Sequence, residues 1–225
     1  MITKEYLNEN YNKIFINNKE KIKNGGVKDD FLSEAQNDNR MSIVLLLRIS
    51  PDISKNIENC LNKLKEIESD SIYFYPSSDF HITVIDILKG EIGRNIPENI
   101  NDYINCINEC AKQIKPFDIE FEGLIESDNA VLIKGFYDNE LQTFRELLRE
   151  DLSKNNLKLE ERYKTISYHI TIARNKDKLK NPEKLISFIE NENKKNFGKM
   201  KVDFFELSFH SWYDTKKQAI GKINL

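Results

Sequence analysis

One short pattern occurs twice in this chain and limits what the chain can become. His81-Ile82-Thr83-Val84 and His169-Ile170-Thr171-Ile172 both read histidine, apolar, threonine, apolar, and they stand about half a chain apart. The chain has only three histidines, so two of them carry the pattern. Each copy lies in an apolar, β-branched run that reads as a strand, Phe80–Leu88 for the first and residues 166–173 for the second. Alternation along a strand sends histidine and threonine to one face and the apolar residues to the other. The apolar residues anchor each strand in a core, while imidazole and hydroxyl project together from the opposite face. A single copy would read as an ordinary polar strand face. Two copies at this spacing point to a pseudo-twofold pair of lobes that turn their histidines toward one cleft.

Two histidines in one cleft suit in-line phosphoester chemistry. A neutral imidazole takes the proton from the attacking hydroxyl or water, and a protonated one supplies the leaving oxygen. The threonine hydroxyls can donate to the non-bridging phosphate oxygens as charge builds there. Neither motif carries a carboxylate, so the set is a poor one for holding a metal, and the pattern calls for no metal and no cofactor. No G-x-S-x-G elbow is present for a serine nucleophile.

The rest of the chain reads as mixed helix and strand. Residues 3–22 form a polar helix with Tyr6, Leu7, Tyr11, Ile14 and Phe15 on one face, ended by Asn24-Gly25-Gly26. A polar loop follows, and residues 1–40 read as an N-terminal helical extension of a domain spanning 41–225. The run Ser42–Leu47 reads as a strand buried on both faces, and Ser50-Pro51 as a helix start. Further helices are expected at 97–114, 139–155 and 182–194. Further strands are expected at Ile72–Tyr75, Phe117–Ile125, Ala130–Phe136, Lys201–Trp212 and Gln218–Asn224. Such mixing without regular crossovers predicts an α+β fold with largely antiparallel sheet.

Composition narrows the partners. At net charge −3 and pI about 5.8, the chain is not expected to grip long duplex nucleic acid by phosphate neutralisation. A small nucleotide or an RNA end remains compatible. No apolar run is long enough for a membrane helix, and the polar start is no secretory signal, so a cytoplasmic protein without membrane attachment is expected. The three cysteines, Cys60, Cys106 and Cys110, follow neither a disulfide nor a zinc pattern and read as reduced thiols. Oligomeric state is not legible.

The segments DFHITVIDIL and SYHITIAR resemble the motifs of the 2H phosphoesterase superfamily, which includes the LigT-like 2′-5′ RNA ligases and cyclic phosphodiesterases. The resemblance covers residues 41–225. It implies a bilobal LigT-like fold, with two pseudo-twofold-related antiparallel sheets and flanking helices around a central cleft. It further implies metal-independent action on RNA ends, cyclic phosphates or 2′-5′ linkages. By motif position, His81 and His169 take the catalytic roles, Thr83 and Thr171 bind phosphate, and Arg174 falls where LigT-like members often carry a basic residue. The chain departs from the short LigT-like enzymes in residues 1–40, and in having Asp86 rather than a basic residue after the first motif. Two alternatives remain, a non-catalytic binder of RNA ends or cyclic nucleotides, and 2′-5′ ligation as the physiological direction.

Other residues carry weaker signals. Lys158, Arg162, Lys164, Arg174, Lys176, Lys178 and Lys180 bracket His169 and could draw phosphate into the cleft. Tyr75, Trp212 and Tyr213 lie near strand ends, where one could stack on a base. Phe80 and Tyr168 point away from the histidine face and should pack in the core. His210 lacks the pattern and reads as an ordinary polar strand position.

Overall fold

The computed structural model describes residues 2–161 and 164–225. The expected α+β class holds, with two antiparallel sheets and five α-helices among the described residues. The first sheet contains β1 (Arg40–Arg48), β3 (His81–Ile92), β8 (Phe204–Ser211) and β9 (Lys217–Asn224), in the order β3-β1-β8-β9. The second contains β2 (Ile72–Phe74), β4 (Phe117–Glu126), β5 (Ala130–Phe136), β6 (His169–Asn175) and β7 (Asn196–Val202), in the order β2-β6-β5-β4-β7. β1 lies between β3 and β8, so Ser42–Leu47 is buried on both faces, as its unbroken apolar run predicts.

The lobes are interleaved along the chain rather than sequential. The first motif strand, β3, belongs to the first sheet and the second, β6, to the other. The expected single strand over Lys201–Trp212 is two strands. β7 ends at Val202 in the second sheet, and β8 starts at Phe204 in the first. The chain thus changes sheets at Asp203, which no apolar periodicity could signal. Helices cross over as well. α2 (Pro51–Ile67) follows β1 of the first sheet yet packs with α5 (Pro182–Asn191) against β7 and β4 of the second. α3 (Ile100–Ala111) and α4 (Asn139–Lys154) pack together beside β9 and β3. In α2 the buried residues Ile53, Ile57, Cys60, Leu61 and Leu64 make one stripe at helical spacing. Ser50 occupies its N-cap position without a side-chain cap bond, and Pro51 sets the first turn.

The first helix, α1 (Lys4–Lys23), is capped by Thr3, whose hydroxyl accepts from the Tyr6 N–H at 3.2 Å. It buries Leu7, Tyr11 and Ile22, while Tyr6 turns outward. Gly25 and Gly26 at φ +99° and +69° end the helix. The segment after them is not a free loop. Leu32 and Ala35 are buried within a short 3-10 turn. Cys60, Cys106 and Cys110 are buried free thiols. Among the described residues no helix is long and apolar enough to cross a membrane.

Candidate functional site

Each motif histidine opens its strand. His81, Thr83, His169 and Thr171 are half-buried, while Ile82, Val84, Ile170 and Ile172 are fully buried, so the alternation read from the sequence is present in both copies. Directly opposite His81 on β1 stands Arg48, and directly opposite His169 on β5 stands Lys134. The two ladders also share an irregularity. Thr83 pairs with Leu46 and Ile85 with Leu45, so Val84 is an extra residue. Thr171 pairs with Leu132 and Ala173 with Val131, so Ile172 is the extra one. A bulge of this kind shifts the alternation by one residue. As a result Asp86 and Arg174 return to the histidine face at matching places. Each stands two ladder steps, about 7 Å, beyond its threonine. β3 and β6 are also strands through which the two sheets approach each other, within 8 Å between Cα atoms.

Backbone and side-chain partners orient the two imidazoles. His81 Nδ1 lies 2.8 Å from the Asp79 carbonyl oxygen. A carbonyl only accepts, so Nδ1 carries the hydrogen and neutral His81 keeps a lone pair on Nε2. His169 Nδ1 lies 3.3 Å from the Ser167 hydroxyl, which can serve as donor or acceptor. Burial pushes His81 down to about 4, with further lowering from His210. Burial also pushes His169 down to about 4, helped by the positive charges of Arg174 and Arg145. Both rings are therefore neutral at pH 7 in the free protein.

A third histidine joins this site. The His210 ring meets the His81 ring edge-on, with centroids 5.6 Å apart. Asp214 Oδ1 lies 3.0 Å from His210 Nδ1, and Asp214 also pairs with Arg48 at 2.6 Å and Lys217 at 3.1 Å. Burial raises the Asp214 pKa, but His210 and Arg48 outweigh it and hold the carboxyl well below the usual carboxylate range. Lys217 bonds Asp79 as well, at 2.6 Å, tying β9 to the turn that presents His81. His210 is thus no ordinary strand position. The alternating polar residues Glu206, Ser208 and His210 are the available signal, because they mark a polar face on β8 paired with β1.

Two further residues hold the motif strands, and no sequence pattern points to either. Arg145 of α4 is fully buried, and its hydrogen bonds among the described residues go to carbonyls and a hydroxyl rather than to a carboxylate. Its Nε donates to the Val84 carbonyl (2.7 Å), just past Thr83. Its terminal nitrogens donate to the carbonyls of Ile166 (3.4 Å) and Ser167 (3.2 Å), just before His169, and to the Tyr137 hydroxyl (3.2 Å). One guanidinium therefore ties the two motif strands together across the lobes. Tyr11 of α1 acts on the second motif. Its hydroxyl donates to the Gly135 carbonyl (3.0 Å) and accepts from the Tyr168 N–H (2.8 Å), one residue before His169. Here β5 and β6 lie so close that a Cβ on Gly135 would overlap the Tyr168 carbonyl oxygen. Lys134, beside His169 on the same face, is held by Asn8 of α1 (3.1 Å) and by Asn193 (2.7 Å). The helix thus packs next to the second motif.

The remaining sequence candidates fall into two groups. Arg174, Tyr75 and Tyr213 come together. Arg174 Nε donates to the Tyr75 hydroxyl at 3.1 Å, and Asp29 links Arg174 to Tyr213. Tyr75 and Tyr213 are buried, so neither offers an open stacking face. Trp212 is 39% exposed, but it sits by Gly90 and Arg40, at the end of the β1–β3 ladder opposite the Arg48–His81 pair. The basic stretch is largely compensated. Lys158 pairs with Glu160, Lys164 with Glu146 and Lys180 with Asp70, all at exposed lysines; Arg162 lies outside the described residues. Phe80 and Tyr168 pack in the core as expected.

Residues 43–219 match the family model of the AKAP7 2′5′ RNA ligase-like domain. No curated protein matches the chain by sequence. Among solved structures, the chain resembles TT0787 of Thermus thermophilus with a TM-score of 0.61 at 17% identity, covering 82% of this chain and 97% of that one. It resembles E. coli LigT complexed with 3′-AMP with a TM-score of 0.57 at 11% identity, covering 82% and 98%. The LigT structure complexed with phosphate gives 0.56 at 12% identity, covering 82% and 97%. Sheet topology, paired motif strands and the family match agree, and the chain belongs to the LigT-like 2H phosphoesterase superfamily through its AKAP7 2′5′ RNA ligase-like domain.

Proposed function

We propose that the protein is a phosphoesterase acting on a nucleotide or RNA-end phosphodiester, with a 2′,3′-cyclic phosphate or a 2′-5′ linkage at the reacting centre. The observation that carries this reading is the matched pair of strands. Each presents His and Thr on one face, and each has the same bulge immediately after the threonine. Binding of 3′-AMP and phosphate by LigT supports a nucleotide phosphate as the ligand class.

With a cyclic phosphate, water attacks phosphorus, and its proton passes to the Nε2 lone pair that the Asp79 carbonyl leaves on His81. The bond from phosphorus to one ribose oxygen breaks, and protonated His169 gives that oxygen a proton. Thr83 and Thr171 donate to the non-bridging oxygens as their charge grows. The product is a phosphomonoester, and proton exchange with solvent resets the two imidazoles. The substrate's own negative charge favours the imidazolium that the free protein disfavours.

The test is turnover on a panel of cyclic phosphates and 2′-5′ oligonucleotides, with and without EDTA. His81→Ala and His169→Ala should each lower turnover by about 10²-fold or more, and EDTA should not. An aryl leaving group needs little protonation, so it should restore turnover in His169→Ala and not in His81→Ala. Tight nucleotide binding with no histidine-dependent turnover would sink the catalytic reading in favour of a binding protein.

A further inference from the structure

The segment joining α1 to β1 crosses from one sheet to the other beside Arg174. The Val27 N–H donates to the Asp128 carbonyl (2.7 Å) and the Asp29 N–H to the Asn175 carbonyl (2.9 Å), both at the second sheet. Further on, the Ala35 carbonyl accepts from the Thr215 hydroxyl (3.1 Å), and Asn39 Oδ1 accepts from Lys216 (2.6 Å), both beyond β8 of the first sheet. Between these anchors the Asp29 carboxylate turns inward. One oxygen accepts from the Tyr213 hydroxyl at 2.6 Å, and the other lies 3.8 Å from the Arg174 guanidinium. Arg174 and Asp29 keep only 18% and 10% of their side-chain surface.

Arg174 alone would be a phosphate-binding group on the histidine face, about 7 Å past Thr171. With Asp29 against it, the positive charge at that end of the face is balanced. The guanidinium already faces one anion, and a second must come up against a buried carboxylate. A sugar hydroxyl or a base N–H meets no such cost and can donate to Asp29. Asp29 lies before the family match, which begins at residue 43, so this feature belongs to the chain's own N-terminal segment.

We propose that Asp29 is a specificity-determining residue that closes the Arg174 end of the groove against phosphate. It thereby selects substrates whose distal group there is an uncharged hydroxyl. This rests on the proposed function in placing the reacting phosphate between the two H-x-T triples. The substrate implied is a short phosphodiester end without a second phosphate one ribose away, not a strand running through the site.

The probes are adenosine 2′-monophosphate and adenosine 2′,5′-bisphosphate, titrated into the full chain by calorimetry. The wild type should bind the monophosphate about tenfold more tightly than the bisphosphate. Asp29→Asn keeps size and the backbone bond, and should shift the ratio of the two affinities about tenfold toward the bisphosphate. Wild-type preference for the bisphosphate would overturn the proposal without any variant being made. So would an Asp29→Asn protein, shown folded by its melting curve, that shifts both probes equally or neither. Absence of turnover on every phosphodiester with the binding preference intact would remove the catalytic reading and leave this one standing. Failure of both nucleotides to bind would overturn this proposal and leave the catalytic reading to the turnover panel.

Discussion

Replacing Arg145 with methionine keeps the apolar stem and removes the guanidinium that joins the motif strands. Four hydrogen bonds are lost, and the carbonyls of Val84, Ile166 and Ser167 lose a charged donor. The Ile166 carbonyl keeps the Tyr137 hydroxyl at 2.6 Å. That leaves two carbonyls to orphan, at about 1–3 kcal/mol each. Relief of the buried charge offsets part of this, since burial already lowers the Arg145 pKa. A net loss of about 3 kcal/mol is expected, or roughly 6–12 °C in melting temperature for a chain of this size. Catalysis should suffer separately. With Val84 and Ser167 no longer tied, the two H-x-T triples can drift, and a displacement of about 1 Å costs about 10²-fold in rate. Turnover per folded molecule, measured well below the melting point, should therefore fall by about 10²-fold with KM little changed. Arg145→Lys, which retains the charge and fewer donors, should fall between the two. A spin label on each lobe should give a narrow distance distribution in the wild type and a broader one in Arg145→Met. A variant that melts early but keeps full turnover and a narrow distribution would refute the clasp and leave Arg145 as core packing only.

Further outcomes follow from the same geometry. His81 and His169 lie near about 4 in the free protein, so kcat/KM, which reports free-enzyme groups, should fall about tenfold per pH unit above about pH 5. The kcat profile should hold to higher pH, because bound phosphate favours the imidazolium; a kcat/KM that is flat from pH 5 to 8 would contradict this. The same lowered values make the unfolded chain bind more protons between about pH 6.5 and 4, so melting temperature should drop as pH falls through that window, less steeply in a His81→Asn/His169→Asn double variant. Tyr11→Phe removes the hydroxyl that bridges Gly135 and Tyr168, and should lower stability by about 1–3 kcal/mol and turnover along with it; unchanged turnover would show that α1 does not position His169. Burial, then the nearby Glu68, raise the Glu126 carboxyl well above its usual range, and neither of its oxygens has a hydrogen-bond partner among the described residues. A raised folded pKa means stability is lost as pH rises, so Glu126→Gln should raise the melting temperature at pH 8 more than at pH 5, and equal shifts would refute the assignment.

Much of the site is legible because period-two alternation is strong where one strand face is buried. His81, Thr83, His169 and Thr171 need only that rule, and so does the burial of Phe80 and Tyr168. The α+β class follows from helical and strand periods in turn. What the sequence hides depends on long-range geometry. A bulge adds one residue without a compositional mark, so nothing shows that Arg174 and Asp86 rejoin the histidine face. The interleaving of lobes depends on which sheet each strand joins, and Asp203 looks like any strand residue's neighbour. Arg145 lies in a polar helix among other charges, and only its contacts distinguish it from a solvated arginine. For His210 the sequence offers only the alternation Glu206, Ser208, His210, which marks a polar strand face and not a place beside His81. The N-terminal forty residues look separable by composition. Their packing through Tyr11, Asn8 and Asp29 against residues around the second motif makes them part of the site's surroundings.

The most direct measurement is a pair of crystal structures of the wild-type protein soaked with a nucleoside 2′-monophosphate and with the 3′-monophosphate, the two products that opening a 2′,3′-cyclic phosphate can give. The phosphate should lie between β3 and β6, with Nε2 of His81 and Nε2 of His169 each within about 3.2 Å of its oxygens, and with the Thr83 and Thr171 hydroxyls donating to it. A phosphate held by only one of the two H-x-T triples, or bound elsewhere on the protein, would contradict the two-histidine mechanism.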